Sequence, residues 1–501
     1  MKRNSKFNKN YYIVEGIPIN IELFEKYLKR KKAKKVTFID DLSGLNTRTE
    51  NELLKVLNQM VKSKNFFKYC SSLLININPG PNFIYDYLNL ESYSKLGKTN
   101  EEINQKPHLY SFMHFVYKTM KKEDEDQVVC LMGPIGSGKT FNIIHIIEYF
   151  CYSYCPKGFE AEVFDMIHKS IQLIHIFGSI YRENNIESTS CGMLMRLGFN
   201  NNDEISLFDL EAKILDVTLP FSENGRSFSI LHSFIKGANP QLKKIFEIPP
   251  NENNLAFFRK FSNNFSENTK ERFKLNDLEI WNRFHSLMKW FKFPKTDVIN
   301  ILQCLAFVIN LNEIVIEKDT VGQLKNKEVF KIHKGIATRK LSKNISIDEN
   351  EFLETIGTFK TSQEAKTFVI SLMKQTYYII FEFILNRLKG NLKSYFINLS
   401  RKASNPNPFV SNNKYINFID FPGEVEDKTL GGFTTNLANE CLIMYSATRY
   451  YQAIEKLLQE GLVLKMFKPL HSYSTIKTCF VKMVYLIIFL YHLLQEIFIS
   501  L

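Results

Sequence analysis

Gly133-Pro134-Ile135-Gly136-Ser137-Gly138-Lys139-Thr140 fits the phosphate-cradling pattern G-x-x-x-x-G-K-[ST] at every fixed position. The glycines let the backbone curl so that successive N–H groups point at phosphate oxygens. Lys139 adds a mobile positive charge, and Thr140 offers a hydroxyl to Mg²⁺. The flanks agree with this reading. Gln127–Met132 reads as a short buried strand entering the loop. Phe141, Ile143, Ile144, Ile146, Ile147 and Phe150 predict an apolar helix over about 140–152 leaving it. The N-terminus of that helix would face a bound anion, which its dipole favours.

The rest of the chain is large enough to support such a site. Its 501 residues leave room for two or three domains or one multi-lobed body. A hydrophobic fraction of 45% with 43 Phe predicts a folded protein, not a disordered one. The net charge of +13 predicts a surface that attracts polyanions or acidic proteins. The densest run, Lys29-Arg-Lys-Lys-Ala-Lys-Lys35, reads equally as a solvated helix end or linker and as a filament or nucleic-acid contact. Eight Cys in a chain this long point to a reducing compartment rather than a disulfide scaffold. Cys151 and Cys155 have no second ligand pair in step with them, so zinc is not expected. The polar start, Met1-Lys-Arg-Asn-Ser-Lys6, does not read as a secretory signal.

Periodicity divides the chain into five stretches: a basic leader (1–35), a nucleotide-binding core (36–225), a mainly helical lobe (226–410), a strand-and-helix segment (411–470) and an atypical apolar tail (471–501). Helices are expected near Glu50–Lys64, Glu162–Phe177 and Thr435–Glu460. Strands are expected at Ser72–Asn78, Leu194–Phe199, Ala212–Leu219 and Tyr415–Asp420, with a turn at Asn200–Asp203. Phe368, Val369, Leu372, Met373, Tyr377, Ile380, Phe381 and Ile384 recur at three- and four-residue spacing, as in a long amphipathic helix. Strands alternating with helices around a phosphate loop predict an α/β fold. The sheet is expected to be of the P-loop NTPase type, mostly parallel and twisted, with large helical insertions.

The order of these pieces resembles the myosin motor domain over about residues 40–470. Asp41-Leu-Ser-Gly-Leu45 and Leu74-Ile-Asn-Ile-Asn78-Pro79 are similar to the opening of that head and to its adenine-contacting loop. The family places a Tyr seven residues after this Pro; here Tyr85 comes six after Pro79 and Tyr87 eight. Phe177-Gly178 and Gly192 keep the spacing of its switch I region. That register aligns Asn185-Ile-Glu187-Ser188-Thr189-Ser190-Cys191-Gly192 with N-x-N-S-S-R-F-G. Asp420-Phe-Pro-Gly423-Glu424-Val425 resembles the switch II motif D-x-x-G-F-E, and Asn436-Leu-Ala-Asn439-Glu440 the start of the relay helix. The resemblance implies ATP or ADP with Mg²⁺ as cofactors. Gly133 to Thr140, Asn78 and Asn185 would hold the nucleotide, and Thr140, Thr189 and Asp420 the metal. Ser188 would touch the lytic water, and Gly423 would donate its N–H to the γ-phosphate. It also implies actin filaments as partner and a cytoplasmic, cytoskeletal location, with neither nucleic acid nor membrane expected.

Two departures modify that expectation. The switch I Arg and switch II Glu, which pair to shut the pocket in the family, are Ser190 and Val425 here. Losing one partner of a buried pair costs about 3–5 kcal/mol, whereas losing both need not. Glu187 stands where the family has Asn, and a carboxylate about 4 Å from a phosphate charge is repelled by roughly 4 kcal/mol at an effective dielectric near 20. A site that binds nucleotide but hydrolyses it poorly is therefore expected, as in a pseudo-motor or scaffold. The alternative is a fragment of a working actin-activated ATPase. The second departure is the apolar closing stretch, Met483–Leu501, which does not resemble the family. It reads as a membrane span, as an associating helix or, preferred, as the end of a truncated product. On that view the head is incomplete, and without a lever arm no light chains are expected.

Overall fold

The computed structural model describes residues 11–14, 17–20, 41–42, 50–70, 73–78, 107–180, 188–214, 227–249, 267–312, 314, 316–324, 327–332, 348–402, 413–423, 432, 435–440 and 442. The chain divides into two compact units, residues 38–439 and a unit made of 1–37 with 440–501. In the latter, β1 (Tyr11–Val14) pairs antiparallel with β2 (Ile17–Asn20).

The larger unit opens with α1 (Glu50–Lys62), then β3 (Phe67–Cys70) and β4 (Leu73–Asn76), an antiparallel pair. Next come α2 (Leu109–Glu123), β5 (Gln127–Leu131), α3 (Lys139–Tyr154) and α4 (Glu160–Gly178). A hairpin of β6 (Cys191–Phe199) and β7 (Ile205–Ile214) follows. The helical stretch comprises α5 (Ser229–Gly237), α6 (Pro240–Ile245), α7 (Glu267–Trp290) and α8 (Lys295–Leu311). After it stand β8 (Ile316–Leu324), β9 (Lys327–Ile332), α9 (Glu349–Gly357), the 41-residue α10 (Ser362–Lys402) and β10 (Lys414–Asp420).

The central sheet runs β5-β10-β6-β7. Only β5 and β10 are parallel, while β10 pairs antiparallel with β6 and β6 with β7. The expectation of a mostly parallel sheet is thus corrected among the described strands. The reason is local. The Asn200 side-chain oxygen accepts from the Asn202 and Glu204 backbone N–H groups, each at 2.9 Å. This Asx turn sends the chain straight back, and a tight turn can only join antiparallel neighbours. It also moves the expected strand at 212–219 upstream, so that β7 begins at Ile205; residues 215–219 lie outside the described set. The β8–β9 pair, which is antiparallel, is a strand pair inside a stretch expected to be helical. The helix expected at 435–460 is described as helical at 435–440.

Helices cover the sheet through their apolar stripes. Along α3, Ile143, Ile146, Ile147 and Phe150 are fully buried, and α4 buries Val163, Ile167, Ile171 and Ile174. On α10, Val369, Met373, Tyr377, Ile380, Phe381 and Ile384 face inward at helical spacing, as their sequence pattern predicts. The Tyr377 hydroxyl donates to the Phe177 carbonyl at 2.6 Å, and its ring stacks on Phe228 at 3.9 Å between centroids. One residue of α10 therefore ties the end of α4 to the start of α5, directly beside the segment that enters β6.

The α5–α7 crossing depends on a missing side chain. A Cβ on Gly237 would lie 2.3 Å from Trp281 Cγ, and the Trp281 ring stacks on Phe234 at 5.0 Å. Overpacking of this kind costs about 1–3 kcal/mol. Gly237→Ala is accordingly expected to lower stability by that amount in urea unfolding followed by Trp fluorescence, with a shifted midpoint and an unchanged slope.

Candidate nucleotide site

The register of β5 against β10 assembles the site. Leu131 pairs with Asp420, so both strands end at the same edge of the sheet, and the phosphate loop and the segment Asp420–Gly423 emerge side by side. Open α/β sheets characteristically place ligands outside the carboxyl ends of parallel strands. The loop itself takes the curled form that its sequence requires. Gly136 and Gly138 sit at φ 79° and 86°, and Ser137 N–H closes a turn to the Pro134 carbonyl at 3.2 Å.

Lys139 and Thr140 occupy the first turn of α3. The Lys139 ammonium donates to the carbonyls of Gly133 at 2.8 Å and Pro134 at 3.0 Å. Burial pushes its pKa down, and the charge of Asp420 partly opposes that shift. The Thr140 hydroxyl donates to Asp420 Oδ2 at 2.6 Å across 280 residues of sequence. Asp420 is 1% exposed, and its Oδ1 is buried with no hydrogen-bond partner. Burial raises its pKa to about 6, against the opposing Thr140 hydrogen bond and Lys139 charge.

Gly423 abuts the loop so closely that a Cβ there would lie 2.4 Å from the Pro134 carbonyl carbon and the Ile135 nitrogen. Only glycine fits this approach. The chain between α4 and β6 is pinned at its ends by backbone: Ile180 N–H donates to the Ser188 carbonyl and Ser190 N–H to the Gly178 carbonyl, each at 2.8 Å. Ser190 is 2% exposed, and its hydroxyl also donates to the Gly178 carbonyl, at 3.1 Å. It braces the turn and does not line the cleft.

Together these elements enclose a cleft of about 370 Å³, within the usual range for small-molecule sites. Among the residues singled out from sequence, Ile135, Gly136, Gly138, Lys139, Thr140, Ser188, Thr189, Asp420 and Gly423 line it. Gly133, Pro134 and Ser137 belong to the loop but not to the lining. Asn78 is not part of the lining; its amide donates to the Gly136 carbonyl at 2.8 Å. Asn185, Glu187, Tyr85, Glu424 and Val425 lie outside the described residues. The sequence reading missed other lining residues, His168, Gln172 and His175 of α4 and Asn276, Ile280 and Arg283 of α7. The i, i+4, i+7 spacing on α4 was their only signal.

Among the described residues, no group of three His, Cys, Asp or Glu could hold a metal unaided. Thr140 and Asp420 suit a hard cation that takes its remaining oxygens from phosphate and water. The orphaned Asp420 Oδ1 fits that role, since a bound cation would compensate its burial. The raised pKa means that ligand-free stability from this group is fully present below the unfolded value of 3.8 and is lost as pH rises through about 6. Asp420→Asn should therefore stabilise the ligand-free protein at pH 8, by on the order of 2–3 kcal/mol. The gain should shrink as pH falls through 6, which thermal melts across pH 4–8 would reveal.

Comparison with known proteins supplies the family. The myosin head (motor domain) family matches residues 39–404. Human unconventional myosin-Ia is 22% identical over 431 residues, covering 81% of this chain and 38% of that protein. Myosin-1 of Saccharomyces cerevisiae is 22% identical over 413 residues, 76% of this chain and 20% of that protein. Unconventional myosin-IXAa of Danio rerio is 23% identical over 452 residues, 84% of this chain and 17% of that protein. The chain thus spans well under half the length of these relatives. A mixed helix-and-sheet body with its phosphate loop beside Asp420 agrees with the match: the chain belongs to the myosin head family.

Proposed function

We propose that this myosin-type head binds ATP or ADP with Mg²⁺ in the cleft between the phosphate loop and Asp420–Gly423, and that it associates with actin filaments as a weakly hydrolysing or non-hydrolysing head. The observation that carries the reading is the Thr140–Asp420 contact of 2.6 Å, with Lys139 on the preceding residue of the same helical turn. Loop amides and the α3 N-terminus would take the phosphates. Lys139 would leave the Gly133 and Pro134 carbonyls for phosphate oxygens. Thr140, Thr189 and Asp420 would face the metal, which neutralises phosphate charge when bound.

Slow turnover follows from what the cleft offers. Phosphoryl transfer is catalysed mainly by positioning and electrostatics, so the groups that orient water matter more than any nucleophilic side chain. Ser190, held against the Gly178 carbonyl, supplies no cation above the pocket. Val425 supplies no carboxylate to receive one. A missing preorganised charge of this kind lowers the rate by about 10²–10³. Actin association rests on family membership, as does a cytoskeletal location.

Titration of the protein with Mg-ADP and Mg-ATP by calorimetry tests the binding claim. Lys139→Ala is expected to weaken both by at least about tenfold, and equal affinity in the two proteins would remove the site. Phosphate release, followed with and without actin filaments, tests the catalytic claim. It should stay slow in both conditions, whereas strong stimulation by filaments would identify a working motor ATPase instead.

A further inference from the structure

The cleft holds a second cation that the phosphate-loop motif does not supply. Among its described lining residues, Lys139 and Arg283 are the basic side chains other than histidine, and Asp420 is the acidic one. Lys139 comes with the loop. Arg283 comes from α7, within the helical stretch, where nothing in the sequence pattern marked it.

Packing sets the level at which Arg283 enters. Its neighbour Phe284 is fully buried and meets Phe177 of α4 edge to face, with ring centroids 6.0 Å apart. The Arg283 turn of α7 therefore lies against the last turn of α4. That last turn leads into the chain that carries Ser188 and Thr189. The Ser179 N–H and hydroxyl donate to the His175 carbonyl at 2.9 and 2.6 Å, and Ser179 pairs with Thr189 in an antiparallel bridge. His175, Ser179, Ser188, Thr189 and Arg283 all line the one cleft. Electrostatics agrees with this placement. The pKa of His175 is held down to about 4, by burial first and next by the positive charge of Arg283.

The chemistry of the side chain suits a phosphate. A guanidinium is always charged, weakly hydrated, and presents a flat fork of N–H donors that matches phosphate oxygens. Arg283 is ion-paired with Glu279, one turn earlier on α7, and the two side chains are 36% and 63% exposed. Water screens such a pair, so it holds Arg283 weakly and a phosphate can compete for it. We propose that Arg283 binds the terminal phosphate of a nucleoside triphosphate in this cleft, and so makes the site prefer the triphosphate to the diphosphate. The metal bridges the last two phosphates in nucleotide sites of this type, and Thr189, offered above as a metal ligand, lies on the chain next to the Arg283 turn. The inference rests on the nucleotide reading above and adds to it a residue that discriminates between nucleotides. Turnover stays slow, because a cation that holds ground state and transition state alike raises affinity without raising the rate.

Calorimetric titration of the wild-type protein and of Arg283→Ala with Mg-ATP and Mg-ADP tests this. The wild type is expected to bind Mg-ATP the more tightly. Arg283→Ala should weaken Mg-ATP by about 10- to 100-fold and leave Mg-ADP within about twofold of wild type, since a screened charge acts only at short range. No triphosphate preference in the wild type, unchanged ATP affinity in the variant, or equal loss of both nucleotides would overturn the role of Arg283 while leaving nucleotide binding intact. A wild-type protein that binds neither nucleotide would remove the nucleotide site itself, and this inference with it. Far-UV circular dichroism checks that the variant folds. Arg283→Gln, uncharged but closer in length, decides the matter if Arg283→Ala does not fold.

Discussion

A hydroxyl and a carboxylate 280 residues apart, 2.6 Å from each other, hold the two halves of the site together. The Thr140–Asp420 contact exists because β10 returns from the end of the longest helix and docks parallel to the strand that feeds the phosphate loop. The five-residue register from Gln127–Ile416 to Leu131–Asp420 brings the two strand ends level. A slip of one residue would turn Asp420 to the other face of the sheet and leave Thr140 without its acceptor. The buried stripe of α10 and the docking of β10 are thus parts of one structural arrangement.

The electrostatics of this junction are those of a buried, incompletely compensated carboxylate. A carboxylate 1% exposed with one oxygen unsatisfied resists ionisation, and its pKa rises accordingly. Lys139, whose own charge is disfavoured by burial, meanwhile rests on two loop carbonyls. Each charged group is thus disfavoured by burial and only partly compensated by its neighbours. Gly423, pressed against Pro134 and Ile135, leaves no room for any side chain at that corner. The backbone there is committed to contact with the loop.

Much of the architecture was legible in the residues. The phosphate loop, the apolar helix after it, the strand at 414–420 and the long helix through Tyr377 all follow from periodicity and glycine placement. Sheet direction was not legible, because the Asx turn at Asn200 outweighs the α/β expectation through two short local hydrogen bonds. The contact of the Asn78 amide with the Gly136 carbonyl, between residues 58 apart in sequence, was likewise set by the fold and not by local pattern.

What the sequence alone determined is the chemistry available: a curled glycine backbone, a lysine, a threonine and an aspartate in the order of a myosin head, with Ser190 and Val425 at the positions of the family's ion pair. Local pattern suffices for this, because the turn conformations and helix faces involved span only a few residues. What the tertiary structure alone decided is which groups share one cleft. His168, Gln172, His175 and Arg283 are ordinary helix residues in the sequence. They join the lining of one cleft only because α4 packs on α3 and α7 packs on α4, a relation set by long-range burial and invisible to any local pattern.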